Sequence, residues 1–530
     1  MDKILELSDK RKAKRLDGGY NVSDDDIVLP YPMPNVRLFL KAHYGNDNDP
    51  LLIQQGGQFY RYDGTCWPAI EDPILRSQLY RFFEGKHYLG DKGELKPFAP
   101  TQRKVADLID ATKALTIIAT STTTPSWRGS TKFAANEIVA CSNGLVHWPT
   151  RTLLPHSSDF YVHHSVPFAF NATAPQPTRW LAFLNELWGN DAQSIATLQE
   201  LIGYCLSGDT SQQKMFLLVG PKRGGEGTIA RVVGRLLGKH NVAGPTLASL
   251  GNTFGLQQLI GKPVAIISDA RIGAKSDGSV IAERLLTISG EDMLTVERKF
   301  LEPWTGHIPS RFVILSNELP HFTDASGALA SRFIVLMLTK SFYGKENPAL
   351  TDELCAELPG IFLWALEGLE HLRARGRFAQ PNSSKEAIQD LEDLASPTGA
   401  FIRTACKIGP EYSVDREELY KAYQNWCLEF GHRASSQAIF GRDLRAARPE
   451  IRSGRPRANN PGRHRLYFGI KLFTSMDWSM DHVDQADRDG TTVQAVHGPK
   501  HSTKGICRAC DGKGCPTCRP RDFGIGEPAK

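Results

Sequence analysis

Residues 220–228 read GPKRGGEGT. Before them, residues 215–219, MFLLV, form a short apolar run suited to a buried strand, and Ile229 to Leu237 carry apolar residues at helical spacing. Strand, glycine-rich turn and helix together make the context of a phosphate-binding loop. Glycines are needed there because successive backbone N–H groups must surround the phosphates while the helix N-terminus adds its positive end. Gly220, Gly225, Gly227 and Thr228 follow the pattern G-x-x-x-x-G-K-x-T, with Thr228 placed to reach a magnesium ion. Where the loop lysine would contact the terminal phosphates, the chain has Glu226.

The exchange reverses a charge beside a phosphate. At about 4 Å and an effective dielectric near 20, each unit of charge is worth roughly 4 kcal/mol in gross terms, so the reversal costs up to about twice that. Magnesium, solvent, Lys222 and Arg223 offset part of it. The expectation is a nucleotide-binding loop whose ATP hydrolysis is weakened or lost.

A length of 530 residues allows two to four domains, and a hydrophobic content of 41% is that of a soluble globular protein. The longest apolar runs fall short of the roughly 20 residues of a membrane helix, and the N-terminus MDKILELSDKRKAKRLD is too charged for a signal peptide. The reading is a cytoplasmic protein without a membrane partner. A net charge of +5 is no general basic coat, so nucleic-acid contact has to come from local clusters. Six dispersed cysteines (Cys66, Cys141, Cys205, Cys355, Cys406, Cys427) suit reduced thiols better than a disulfide framework.

Residues 1–35, with the basic run from Lys10 to Arg15, read as a flexible arm. Residues 36–210 form a mixed and helical domain: helical from Val36 to Ala42, a hairpin around Gln58 to Trp67, helices at 73–83 and 102–118, and strands about the turn Asn143-Gly144. Amphipathic helices follow at 179–188 and 192–206.

Residues 211–345 are the motor candidate. Pro263 to Asp269 is a second apolar strand ending in a carboxylate, placed to hold magnesium or orient water; Ser268 and Ala270 flank it, so Asp269 has no acidic neighbour. A third strand, Arg311 to Ser316, ends at Asn317, a polar amide suited to positioning an attacking water. Arg332, in Leu329-Ala330-Ser331-Arg332-Phe333, is a candidate to neutralise charge in a neighbouring subunit's site.

In their order, GPKRGGEGT, AIISDAR, the stretch from Ser289 to Phe300, FVILSNELP and the arginine of LASRF resemble the superfamily 3 helicases. The likeness is to the helicase half of the phage and plasmid primase-helicase family, related to the poxvirus primase-helicase, and it spans about residues 36–472. It implies an AAA-like P-loop ATPase core in an α/β fold, a hexameric ring on DNA and 3′ to 5′ unwinding, with ATP and Mg2+ as cofactors. At the family's channel hairpin, Arg298 and Lys299 would grip the phosphate backbone while Phe300 packs or meets a base. No acidic triad of a polymerising primase is visible upstream, so a separate primase or polymerase is the expected partner.

Residues 346–410 read as a helical lid and connector, with helices at 350–375 and 384–406. Within 411–472, two helices, a basic loop and a late strand follow a winged-helix order, in which Arg442, Arg445 and Arg463 are candidates for the DNA backbone. Residues 473–504 read as a linker. In 505–522, Cys507, Cys510, Cys515 and Cys518 form two C-x-x-C pairs, the ligand set of a closed structural Zn2+ site of zinc-knuckle size.

Three functions fit: a replicative helicase; an ATPase-impaired DNA-binding ring or origin-recognition protein of the same fold, for which Glu226 argues; and a DNA-binding regulator with a degenerate ATPase core.

Overall fold

Alternation along the apolar strands sends successive side chains to opposite faces of a sheet, and both faces are covered. The structure, a computed structural model, describes residues 26–45, 50–91, 93–270, 277–322, 324, 327–454 and 465–473. It divides into two units, residues 1–470 and 471–530, and of the second only residues 471–473 are described.

After a short strand (Ile27–Val28), the first unit has helix α1 (Pro32–His43), the meander β1 (Leu52–Gln55), β2 (Gln58–Arg61) and β3 (Ala69–Ile70), and helices α2 (Asp72–Phe83) and α3 (Gln102–Thr116). Val36, Phe39, Leu75, Leu79, Phe83, Val105 and Leu108 form their common core. Gly56 and Gly57 make the tight β1–β2 turn with φ of 54° and 79°, a left-handed pair that residues with a Cβ enter at a cost. A second antiparallel sheet follows, β4 (Ile138–Cys141), β5 (Gly144–His147) and β6 (Thr152–Leu154), turning at Asn143-Gly144 as expected. Helices α4 (Thr178–Trp188) and α5 (Ala192–Leu206) come next.

The central element is a five-stranded parallel sheet. In chain order it has β7 (Met215–Val219), followed by helix α6 (Glu226–Leu237), then β8 (Val242–Ala243), β9 (Val264–Ile267), β10 (Leu294–Arg298) and β11 (Leu301–Gly306) as a separate hairpin, β12 (Arg311–Ser316) and β13 (Phe333–Met337). The sheet order is β8-β9-β12-β7-β13. Phe216, Leu218, Val313, Leu315, Ile334 and Leu336 face one side, and Met215, Leu217, Ala265, Ile267, Phe312, Ile314 and Val335 the other.

The first face is covered by α4, α5 and α6 together with a later helix, α7 (Leu358–Arg375). Helices α4 and α5 thus share the core of the parallel sheet. The close approach of α5 to α7 depends on two glycines. A Cβ on Gly203 would strike the Ala365 carbonyl oxygen, and one on Gly368 would lie 2.5 Å from the Gln199 carbonyl carbon.

The helix expected over 350–375 is broken between Leu350–Cys355 and α7, because Pro359 takes the first turn of α7, where no N–H is required. Likewise the helix expected over 384–406 is two, α8 (Lys385–Ala395) and α9 (Pro397–Ala405), parted by Ser396 and Pro397. Then come β14 (Cys406–Asp415), α10 (Arg416–Glu429), α11 (Gln437–Ala447), β15 (Arg452–Gly454) and β16 (Leu466–Leu472), the strands ordered β14-β16-β15. Phe401 of α9 lies 5.6 Å from the Tyr423 ring and 6.1 Å from that of Phe440. Helix α9 thus packs through Phe401 against α10 and α11.

Among the described residues no helix is long and apolar enough to cross a membrane. The described cysteines are free thiols, and burial pushes those of Cys141 and Cys406 up to about 12.

Candidate functional site

Because the five strands are parallel, the segments leaving β7, β9 and β12 emerge at one edge of the sheet, where open α/β sheets bind ligands. They enclose a cleft of about 320 Å³ lined by Glu226, Gly227, Ala230, Arg231, Ser268, Asp269, Ser316 and Asn317, with apolar side chains beneath. Asp269 and Asn317, separated from the loop by some forty to ninety positions of sequence, are thus brought to the loop. Val219 at the end of β7 stands in register with Ser316, so Asn317 leaves the sheet beside the loop's first residue.

The loop turns where glycine permits. Gly225, the residue that caps α6, has φ 111°, and a Cβ there would lie 2.8 Å from Leu187 Cδ2 of α4. Glu226 begins α6, and its carboxylate folds back over the loop: a Cβ on Gly224 would meet Glu226 Oε1 at 2.6 Å, and one on Gly220 would meet it closer still. Oε1 is buried without a hydrogen-bond partner. Burial raises the Glu226 carboxyl above its ordinary value, and the backbone amides of Glu226 and Gly225 pull it partly back. The hollow that the glycines leave open, of the kind that accepts a phosphate, therefore holds a carboxylate of the protein's own.

Lys222 is turned away from this hollow. Its ammonium lies 5.2 Å from the centre of the Tyr343 ring, and Arg223, at φ 63°, has its Nε 3.5 Å from Glu346 Oε1. Thr228 Oγ1 accepts a hydrogen bond from Arg231 Nη2 at 3.0 Å. Sequence reading overlooked Arg231, though its spacing three positions after Thr228 puts the two on one helix face.

Arg332 is absent from this cleft. It precedes β13 at the opposite edge of the sheet, roughly 16 Å away by the rise of a five-residue strand, and its Nη1 donates to Gln213 Oε1 at 2.5 Å.

On the hairpin, Arg298 and Lys299 have different environments. Arg298, expected to grip DNA, is 7% exposed: Nε donates to the Glu302 carbonyl at 2.8 Å and Nη2 to that of Gly56 at 3.2 Å. A bulge between Val296 and Arg298 turns its side chain inward, and its donors satisfy backbone carbonyls rather than phosphates. Lys299 and Phe300 form the two-residue tip, and Phe300 is 92% exposed.

On α11, Arg442 and Arg445 are exposed one turn apart, followed by Arg448 and Arg452; Arg442 also pairs with the buried Asp443 at 3.0 Å. Arg463 and the four cysteines Cys507, Cys510, Cys515 and Cys518 lie outside the described residues, as does the basic run near the N-terminus. Among the described residues no group of three or more His, Cys, Asp or Glu side chains could hold a metal ion.

Three family models match the chain. "D5 N terminal like" matches residues 37–189, a "Family of unknown function (DUF5906)" residues 218–332, and "RFX DNA-binding domain" residues 396–472. Among solved structures, an apo form of the NrS-1 C-terminal region aligns at 11% identity over 79% of this chain and 95% of that one, with a TM-score of 0.43. A second apo form of that region gives 11%, 83%, 99% and 0.41. JCV helicase bound to a small molecule gives 17%, 41%, 66% and 0.22. The match to the RFX DNA-binding domain begins at Ser396, the residue that caps α9.

Proposed function

We propose that this chain, which resembles the phage primase-helicases of superfamily 3, is a DNA helicase of a replication system built on an AAA-like P-loop core. The observation that carries the reading is the shared cleft, where the loop, Asp269 and Asn317 converge at the edge of a parallel sheet. ATP bound there supplies the phosphoanhydride energy for movement along DNA. The loop amides cradle its phosphates, Thr228 and Asp269 hold Mg2+, and Asn317 orients water. Arg332, remote from its own cleft, serves that of a neighbouring subunit in a hexameric ring. Lys299 and Phe300 meet DNA in the channel, and Arg442 and Arg445 of a winged helix contact its phosphates, a role the match to an RFX DNA-binding domain supports. The four C-terminal cysteines hold a structural zinc ion, and a separate primase or polymerase supplies primers.

One observation favours a second reading, an ATPase-impaired DNA-binding ring or origin-recognition protein of the same fold. The Glu226 carboxylate stands where the loop would receive a phosphate.

DNA-stimulated ATP hydrolysis by the purified protein, beside Glu226→Lys and Arg332→Ala, separates the two. Turnover in the parent that Arg332→Ala abolishes supports the helicase. A silent parent revived by Glu226→Lys supports the impaired ring, and silence in both sinks the ATPase reading.

A further inference from the structure

A phosphate-binding cleft needs a cation, and position 226 supplies the opposite charge. Three basic side chains lie close enough in sequence to compensate, and two are committed elsewhere. Lys222 covers Tyr343, with its backbone carbonyl accepting from the Ser341 hydroxyl at 2.8 Å, while Arg223 faces Glu346 and its carbonyl accepts from the Phe342 amide at 3.0 Å. Both are drawn to the segment that follows β13.

Arg231 is placed otherwise. It lies on α6 one turn beyond Thr228, and it lines the cleft together with Glu226, Asp269 and Asn317. A Cβ on Gly227 would stand 3.4 Å from Arg231 Nη1, which puts the guanidinium beside the loop's last glycine. Nη2 donates to Thr228 Oγ1 at 3.0 Å and Nε to Thr351 Oγ1 at 3.1 Å. Both partners are neutral hydroxyls, which orient the planar fork without cancelling its charge. Among the described residues these bonds use two of its five donors, leaving a face suited to bidentate contact with phosphate oxygens. A threonine hydroxyl has two lone pairs, so the bond from Arg231 leaves Thr228 able to serve a metal ion as well.

We infer that Arg231 is the phosphate-binding cation of this cleft, taking the part of the lysine that Glu226 displaces, for a ligand of the nucleoside triphosphate class. The inference rests on the nucleotide reading above and names the residue through which it works. Glu226 turned into the loop and Arg231 at the cleft form a pair in which the positive charge has moved about one and a half turns along the same helix.

The test is a double-mutant cycle on the full chain, read by anisotropy of a fluorescent ATP analogue with Mg2+ and without added DNA. Arg231→Ala weakens binding by roughly tenfold to a hundredfold, the loss expected when a hydrogen bond to a charged group is removed, and Arg231→Lys retains part of the affinity. In a Glu226→Lys background, where the loop has its cation back, Arg231→Ala costs less than about threefold. Thermal unfolding without nucleotide, measured for Arg231→Ala and Arg231→Gln, stays close to the parent because the side chain is on the helix surface. Unchanged binding in Arg231→Ala, an equal loss in both backgrounds, or binding by Glu226→Lys alone overturns the inference and leaves the nucleotide reading standing. Binding by neither the parent nor Glu226→Lys overturns both.

Discussion

Arg298 Nη2 donates to the carbonyl oxygen of Gly56 at 3.2 Å, joining a hairpin beside the parallel sheet to a turn of the N-terminal module 242 positions earlier. Trp304 of the same hairpin closes the contact: a Cβ on Gly56 would lie 3.0 Å from its Cδ1. The hairpin is therefore anchored by the buried Arg298 and the partly buried Trp304, beside an exposed tip at Lys299 and Phe300. This division separates residues that position the hairpin from residues available to a ligand.

Arg298→Ala is expected to lower stability by about 1–3 kcal/mol, since it removes the hydrogen bonds that the buried, charged guanidinium makes to the Glu302 and Gly56 carbonyls. Lys299→Ala should leave the unfolding midpoint within error and weaken single-stranded DNA binding, with a shallower salt dependence. Denaturant unfolding and a salt titration of DNA affinity check the pair. Equal stability loss in both variants would contradict the division.

Glu226 carries a pH dependence of definite sign. Its carboxyl is raised above the ordinary value by burial, so the folded state holds the proton better than the unfolded chain. The stability this confers is complete below the unfolded value of 4.5 and is lost as pH rises through the raised folded value. Glu226→Gln should therefore be more stable than the parent at pH 7, with the advantage shrinking toward pH 4. Unfolding midpoints at the two pH values test it; a constant difference would show that the carboxyl is not raised.

Gly203 and Gly368 set the distance between α5 and α7. Gly203→Val and Gly368→Val each place side-chain atoms against the facing helix backbone, at an expected cost of about 1–3 kcal/mol or more for overpacking. Gly376→Val, whose added Cβ meets nothing within 4 Å but whose φ is 77°, serves as a comparison for backbone strain alone. Denaturant midpoints of the three decide, and a larger loss at Gly376 would count against the close-packing argument.

Arg442 and Arg445 share an exposed face of α11. Their joint replacement by Ala should flatten the slope of log K against log salt for duplex DNA by about 2, one counterion for each lost phosphate contact. An unchanged slope would remove this face from the DNA contact.

Much of the architecture can be read locally. Residues 215–219, 263–269 and 311–316 announce buried strands through continuous apolar runs, and the glycines at 220–227 announce a tight loop before a helix. Pro359 and Pro397 mark helix breaks that the apolar periodicity of 350–375 and 384–406 had concealed, since periodicity registers burial and not the missing N–H.

The sequence by itself determined the strands β7, β9 and β12, the loop and helix after β7, and the candidacy of Glu226, Asp269 and Asn317, because strand and helix periods and glycine's access to positive φ are properties of neighbouring residues. Only the tertiary structure decided where the charged side chains point. Lys222 turns to Tyr343, Arg231 to the cleft, Arg298 to a carbonyl of another module, and Arg332 to the far edge of the sheet. A long cationic side chain has several rotamers of similar energy, and the choice among them falls to partners that lie three to more than two hundred positions away.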